Sequence, residues 1–300
     1  MSAKEIKPSA RLKKFLIATL VLVLCFSLPL YDLIRFAADD DLFSYILLIP
    51  VISVYLVWLQ KKNLPHASGP ATIWAAVFGT CGVAVMLVYW LTAPALWKAE
   101  EDYLAMNIFA FLLFFAGICS LFWGKEIMRA NAFPLGLLIF MIPFPIFVTQ
   151  GIETFLQHGS AAVAAAMLRL SGMPLYQDGL IFQLPGITLR VARECSGIHS
   201  SLVLFITSLL AGHLFLRTSW KRTTLALVVI PLALLRNGFR VFVIGQLCVQ
   251  IGPEMIDSPI HRHGGPLFFI LSLIPFFLLL FYLRKSERAG KPSSDQTSKT

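Results

Sequence analysis

The chain has 300 residues, of which 57% are hydrophobic and only 14% charged, against roughly 25% charged in soluble domains. That excludes an ordinary soluble globule and any disordered or collagen-like chain, and the long apolar runs point to an all-α polytopic membrane protein. The net charge of +9 fits cytoplasmic loops better than a nucleic-acid footprint, so the expected surroundings are a lipid bilayer and no nucleic acid.

A bilayer core takes roughly 20 apolar residues per helix. The sequence predicts eight spans, over 15–31, 42–60, 71–93, 104–123, 132–149, 196–216, 223–247 and 264–283. Lys13 and Lys14 precede the first, which reads as a signal anchor because no small-residue cleavage site follows. The fifth contains Pro134, Pro143 and Pro145 and is expected to be kinked or broken. The stretch 151–171 carries Glu153, Gln157, His158 and Arg169, with a clean apolar core only from Gly159 to Leu168. That core is too short to span, so the segment is expected to lie as a helix at the interface.

Charge orients the spans. With eight of them, seventeen basic residues fall on one side, including Lys13, Lys14, Lys61, Lys125, Arg217, Lys221, Arg222 and Arg284. Six fall on the other: Arg35, Lys98, Arg169, Arg190, Arg193 and Arg262. A ninth span at 151–171 would spoil the split. The positive-inside rule then puts both termini in the cytoplasm of a multi-pass protein of the cytoplasmic (inner) membrane. A single integral domain is expected over 1–285, with a polar, disordered cytoplasmic tail over 286–300.

The longest outer connection, 150–195, holds the only strand-like sequence. Leu180–Leu184 and Ile187–Ala192 are bounded by Asp178-Gly179 and Pro185-Gly186, which predicts a small extracytoplasmic hairpin. It leads into Arg193-Glu194-Cys195-Ser196-Gly197.

Polar residues gather at one membrane depth. Cys195 stands at the mouth of the sixth span, where helix N–H groups stabilise thiolate. A buried structural cysteine is the commoner fate of such a residue. Arg236-Asn237-Gly238-Phe239-Arg240 lies within the seventh span, its arginines four apart on one face. Arginine at the bilayer centre costs roughly 3 kcal/mol or more, so the pair calls for an anion: a thiolate, an oxyanion or a substrate carboxylate. Snorkelling to headgroups is the plainer alternative. His261-Arg262-His263-Gly264-Gly265 enters the last span, where a histidine can act as acid or base. His261 and His263 with Cys195 would also make a zinc-type ligand set, though no acidic partner beyond Glu254 and Asp257 is near in sequence; no metal or cofactor is expected. Together, a thiol, an arginine and a histidine brought to one face have the chemistry of thiol acyl transfer.

From Tyr176 to Phe269 the chain resembles the exosortase/archaeosortase transpeptidases. The resemblance rests on the Asp178-Gly179 turn and hairpin, Val191-Ala192-Arg193-Glu194-Cys195-Ser196-Gly197, Asn237-Gly238-Phe239-Arg240 and His261-Arg262-His263-Gly264-Gly265. It implies Cys195 as nucleophile, Arg240 as the essential arginine and His261 as the third member. His261 is preferred to His263 because it leaves three residues before Gly265; His199, one turn after Cys195, ranks third as the base. Arg236 is not required by the family pattern and reads as supportive. The resemblance further implies membrane-anchored protein substrates with a C-terminal sorting signal: a short motif, often Pro-Glu-Pro-like, then a transmembrane helix and a basic tail. The acyl group would pass to a surface acceptor such as an exopolysaccharide or lipid.

The rivals are a polytopic transporter, a membrane metalloprotease and a lipid-linked acyltransferase. No internal repeat supports a transporter. Glu100-Glu101 begins an E-E-x-x-x-R pattern that fails at Ala105. Cys248 lies near the outer end of the seventh span, but a disulfide with Cys195 is not expected because it would silence the nucleophile; Cys25, Cys81 and Cys119 read as packing residues inside spans.

Overall fold

Among the described residues, six helices are long and apolar enough to cross a membrane, and two bent helix pairs raise the number to eight if each pair is one span. The structure is a computed structural model that describes residues 8–61, 65, 69–96, 99–192, 196–258 and 264–289. Its contacts divide the chain into two units, Met1–Thr149 and Gln150–Thr300.

In the first unit, the expected first span is a bent pair, α1 (Pro8–Cys25) and α2 (Ser27–Asp39), at 71° to each other. Pro29 explains the break. It has no N–H to give to the preceding turn, yet it suits the first turn of a new helix. Asp40 caps the next element by accepting from the Leu42 amide at 2.8 Å, and a 3₁₀ turn (Asp41–Leu47) runs into α3 (Leu48–Gln60). The helices α4 (Thr72–Leu96) and α5 (Glu100–Ala130) pack side by side. Gly82 is what admits the Phe114 ring, since a Cβ there would stand 3.0 Å from it. α5 breaks at Gly124 (φ 77°, ψ 174°), just past the end of the expected fourth span. A short α6 (Ala132–Leu137) and a 3₁₀ turn (Leu138–Met141) follow.

The expected fifth span, 132–149, is not one helix. It stops at Met141, and α7 (Ile146–Leu170) starts afresh after Pro143 and Pro145. The Asp102 carboxylate takes the Ile146 amide at 3.1 Å, a cap for the new helix. The prolines break the span as expected, but the helix then runs without interruption through the stretch 151–171. Pro134 lies in the first turn of α6, where it is tolerated.

In the second unit, α7 from Gln150 onward carries a stripe of small residues, Ala161, Ala164 and Ala165, with Leu168. These pack with Phe182, Leu184 and Leu189 of the sheet and with Ile244 and Cys248 of α9 (Ser219–Gln250). The stretch expected at the interface is thus a packed helix whose alanines let the sheet approach closely. The hairpin forms with β2 (Ile181–Leu184) against β3 (Ile187–Arg190), Leu184 opposite Ile187. A third strand, β1 (Tyr176–Asp178), pairs with β2 to make an antiparallel meander. Three residues of mixed polarity gave it no alternation to read. Along β2, Phe182 and Leu184 point into the core and Ile181 and Gln183 away.

The two helices that follow the sheet, α8 (Ile198–Phe215) and α9, are joined by a three-residue turn. The Glu287 carboxylate, on α10 (Gly265–Ala289), accepts from the amides of Arg217 (3.0 Å) and Thr218 (2.8 Å). Lys221 Nζ donates to Leu283 O at 3.3 Å. Leu204, Leu225, Val229, Phe276 and Leu280 fill the space between the three helices. α10 continues through Ala289, past the expected start of the tail, and 290–300 lie outside the described residues. Cys119 is fully buried and Cys248 is a free thiol in the core beside the sheet, whereas Cys25 and Cys81 are exposed on the protein rather than buried in its core.

Close approach between α7 and α9 depends on two glycines of unequal importance. A Cβ at Gly238 would stand 2.6 Å from Val163 Cβ and 3.0 Å from the Ser160 carbonyl, both tied to the backbone. A Cβ at Gly159 would meet only the end of the Leu234 side chain, at 2.7 Å. Gly238→Ala is therefore expected to lower stability by about 1–3 kcal/mol, and Gly159→Ala by clearly less. Thermal unfolding of the detergent-solubilised variants checks the order.

Candidate functional site

The site is built where the start of α8 meets the middle of α9. Ser196 and Gly197 precede α8, and Gly197 adopts a left-handed conformation (φ 71°, ψ 23°) that costs other residues roughly 1–2 kcal/mol. Their carbonyls turn towards α9 and are both caught. Asn237 Nδ2 donates to Ser196 O at 3.1 Å and to Ser160 Oγ on α7 at 3.0 Å. Arg236 Nη2 donates to Gly197 O at 3.2 Å and to Ser201 Oγ at 3.1 Å. Glycine is needed at 197 for space as well, since a Cβ there would lie 3.0 Å from both Arg236 Nη2 and Asn237 Oδ1.

Arg236 and Asn237 are buried, at 7% and 3% exposure. The guanidinium therefore turns inward onto the start of α8, which rules out snorkelling for this arginine. Arg240 is half-buried one turn further along α9. Phe239, between them, meets Phe268 of α10 edge-on with centroids 6.0 Å apart, so the first turn of α10 comes to the same stretch of α9. Gly264, just before α10, is buried. His199 is half-buried in the first turn of α8.

Cys195, His261 and His263 lie outside the described residues, as do Arg193, Glu194 and Arg262. Their neighbours in the chain do not. Ser196, bonded to Cys195, is held by Asn237, and Gly264, bonded to His263, leads into the helix that Phe239 touches. Among the described residues, Ser196 and Gly197 and the first turn of α10 thus both meet α9 between Arg236 and Arg240.

Two contributors come from α7 and had not been singled out as site residues. Ser160 completes the Asn237 hydrogen bonds, and Gln157 Nε2 donates to the Val191 carbonyl at 2.5 Å. Both are buried. Gln157 and Ser160 are three apart, so they share a helix face with the alanine stripe. A polar pair among residues small enough for close packing was the available signal.

The Asn237 amide satisfies two buried acceptors on different elements. Asn237→Ala leaves both without a donor and is expected to cost about 1–3 kcal/mol, more than Ser160→Ala, with unfolding midpoints as the measure. Gly197→Ala is expected to destabilise by about 1–2 kcal/mol from the left-handed backbone alone, before the crowding against Arg236 is added.

The family model for transmembrane exosortases matches residues 33–278, a stretch that includes the sheet, Cys195, both arginines and the first half of α10. No curated protein and no solved structure matches the chain. With most of its length covered by that one model, the chain belongs to the transmembrane exosortase family.

Proposed function

We propose that this exosortase is a cysteine transpeptidase that processes exported proteins at the outer face of the cytoplasmic membrane. Family membership implies a membrane cysteine transpeptidase in general. The observation that carries the finer reading is the double grip of α9 on the Ser196 and Gly197 carbonyls, immediately after Cys195. Such a grip fixes the main chain beside a nucleophile, and orientation of this kind supplies much of an enzyme's rate.

In this mechanism the Cys195 thiolate attacks the carbonyl carbon of the scissile peptide bond. Arg240 donates hydrogen bonds to the oxyanion that forms, a role its planar fork suits. The carbon–nitrogen bond breaks as His261 gives a proton to the leaving amine, with His263 as the second choice for that role. The acyl group is left as a thioester on Cys195. An amine, a hydroxyl or water attacks it, loses a proton to the histidine and releases the thiol.

The substrates would be membrane-anchored proteins ending in a sorting signal: a PEP-CTERM-like motif, a transmembrane helix and a basic tail. The acceptor would be an exopolysaccharide or a lipid. The excess of basic residues on one side supports cytoplasmic termini and an extracytoplasmic site.

Cys195→Ala is expected to abolish processing of a co-expressed substrate while the protein remains folded in the membrane. Arg240→Lys is expected to slow processing by about 10²-fold or more. Unchanged cleavage in the Cys195 variant would refute the mechanism. The mass of an adduct trapped on Cys195 separates a peptidyl thioester from the lipid acyl group of an acyltransferase, and a transporter would form neither.

A further inference from the structure

Basic residues of the second unit gather where α8 ends, α9 begins and α10 ends. Residues 216–222 and 284–289 carry Arg217, Lys221, Arg222, Arg284, Lys285 and Arg288 against one acidic residue, Glu287. The Glu287 carboxylate is already engaged, accepting from the amides of Arg217 and Thr218. It offsets one of the six positive charges and leaves the group strongly cationic.

The cations at the centre of this group are held in place by neutral partners. Lys221 is buried and donates to Leu283 O at 3.3 Å and to Ser286 Oγ at 3.2 Å. Arg222 is half-buried, and its Nε donates to Leu216 O at 2.8 Å. Arg284, also half-buried, reaches from α10 to lie over the Phe215 ring, 5.5 Å from its centroid. The two guanidinium groups thus rest on consecutive residues that close α8. The ion pair found among the described residues joins Arg35 and Asp39 in the first unit, so neither guanidinium is matched there by a carboxylate. Planar forks held still without an anion suit the oxygens of a phosphate.

The side chains around them say what carries that phosphate. Phe215, Trp220 and Tyr282 are exposed beside the basic group, and exposed tryptophan and tyrosine at the ends of spans mark the headgroup level of a bilayer. Leu214, Leu227 and Leu278 are exposed further along the same three helices. A ligand that meets all of these has an anionic head, a short polar neck at the rings and apolar chains running along the helices.

We infer that the junction of α8, α9 and α10 is a binding site for an anionic phospholipid of the phosphatidylglycerol type, with Arg222 and Arg284 on its phosphodiester. By the charge bias that orients the spans, the lipid belongs to the cytoplasmic leaflet. It would fasten the same turn to α10 that Glu287 and Lys221 fasten from within the protein.

Native mass spectrometry of the full-length protein in detergent tests this, with dioleoylphosphatidylglycerol and dioleoylphosphatidylcholine added in equal amounts. The ratio of the two lipid adducts is expected to favour phosphatidylglycerol several-fold, and to fall about fivefold or more when Arg222→Gln and Arg284→Gln are combined. The corresponding double lysine variant, which keeps the charge without the forks, should fall between the two. Lys13→Gln with Lys14→Gln removes two exposed charges from α1 and should leave the ratio unchanged.

A wild-type ratio near one overturns the proposal, and does so even if the double glutamine variant fails to fold. A ratio that the double glutamine variant leaves unchanged overturns it too. An equal fall in the Lys13 and Lys14 variant would show diffuse attraction in place of a site. Displacement of phosphatidylglycerol by an equal concentration of glycerol 3-phosphate, which has the phosphate without the acyl chains, would show a site for a soluble phosphate and would equally overturn it. None of these outcomes bears on Cys195, whose role is read from cleavage.

Discussion

A guanidinium and a carboxamide placed in the middle of a helix long enough to cross a bilayer must find partners inside the protein. Lipid offers neither acceptors nor water, and that requirement organises the second unit. The partners found by Arg236 and Asn237 are chiefly main-chain carbonyls, those of Ser196 and Gly197. Carbonyls at the approach to a helix are free to serve only if the chain bends there, and the left-handed Gly197 provides the bend. One need, satisfying buried polar groups, thus sets the path of the chain immediately after Cys195.

The same need explains the packing around it. For Asn237 to reach Ser160, α7 and α9 must approach until Gly238 touches Val163 and the Ser160 carbonyl. The stripe of Ala161, Ala164 and Ala165 extends close packing along α7 to the sheet. The sheet in turn delivers Val191 to Gln157, four residues before Cys195. Small residues, buried amides and a short meander form one device that holds Val191 and Ser196, the one four residues before Cys195 and the other next after it.

Much of this was legible in the residues. Long apolar runs marked the membrane class, and the Pro185-Gly186 turn with alternating Ile187–Ala192 marked the hairpin. The pair Arg236 and Arg240 stood out because charge inside a span has no cheap explanation. What was not legible depended on partners remote in sequence. Pro29 sits in an apolar run that hydropathy alone scores as one span, whereas the helix bends there. The clean apolar core of 151–171 is too short to announce a span, and Gln157 counts as merely polar until its acceptor, the Val191 carbonyl, is known. Arg236 looked merely supportive beside the family pattern, and only its contact with Gly197 shows how closely it is tied to the start of α8.

The clasp at the far end of α8 has a mechanical meaning. Glu287 and Lys221 fasten the turn between α8 and α9 to α10. The helix between that clasp and the site is 18 residues long, a rigid arm of about 27 Å at 1.5 Å per residue. Pivoting at the clasp by only about 2° would carry Gly197 roughly 1 Å across the face of α9, enough to part Arg236 from its carbonyl. The alignment of the site is therefore set by leverage from the opposite end of the helix, and residues that never meet a substrate hold it in register.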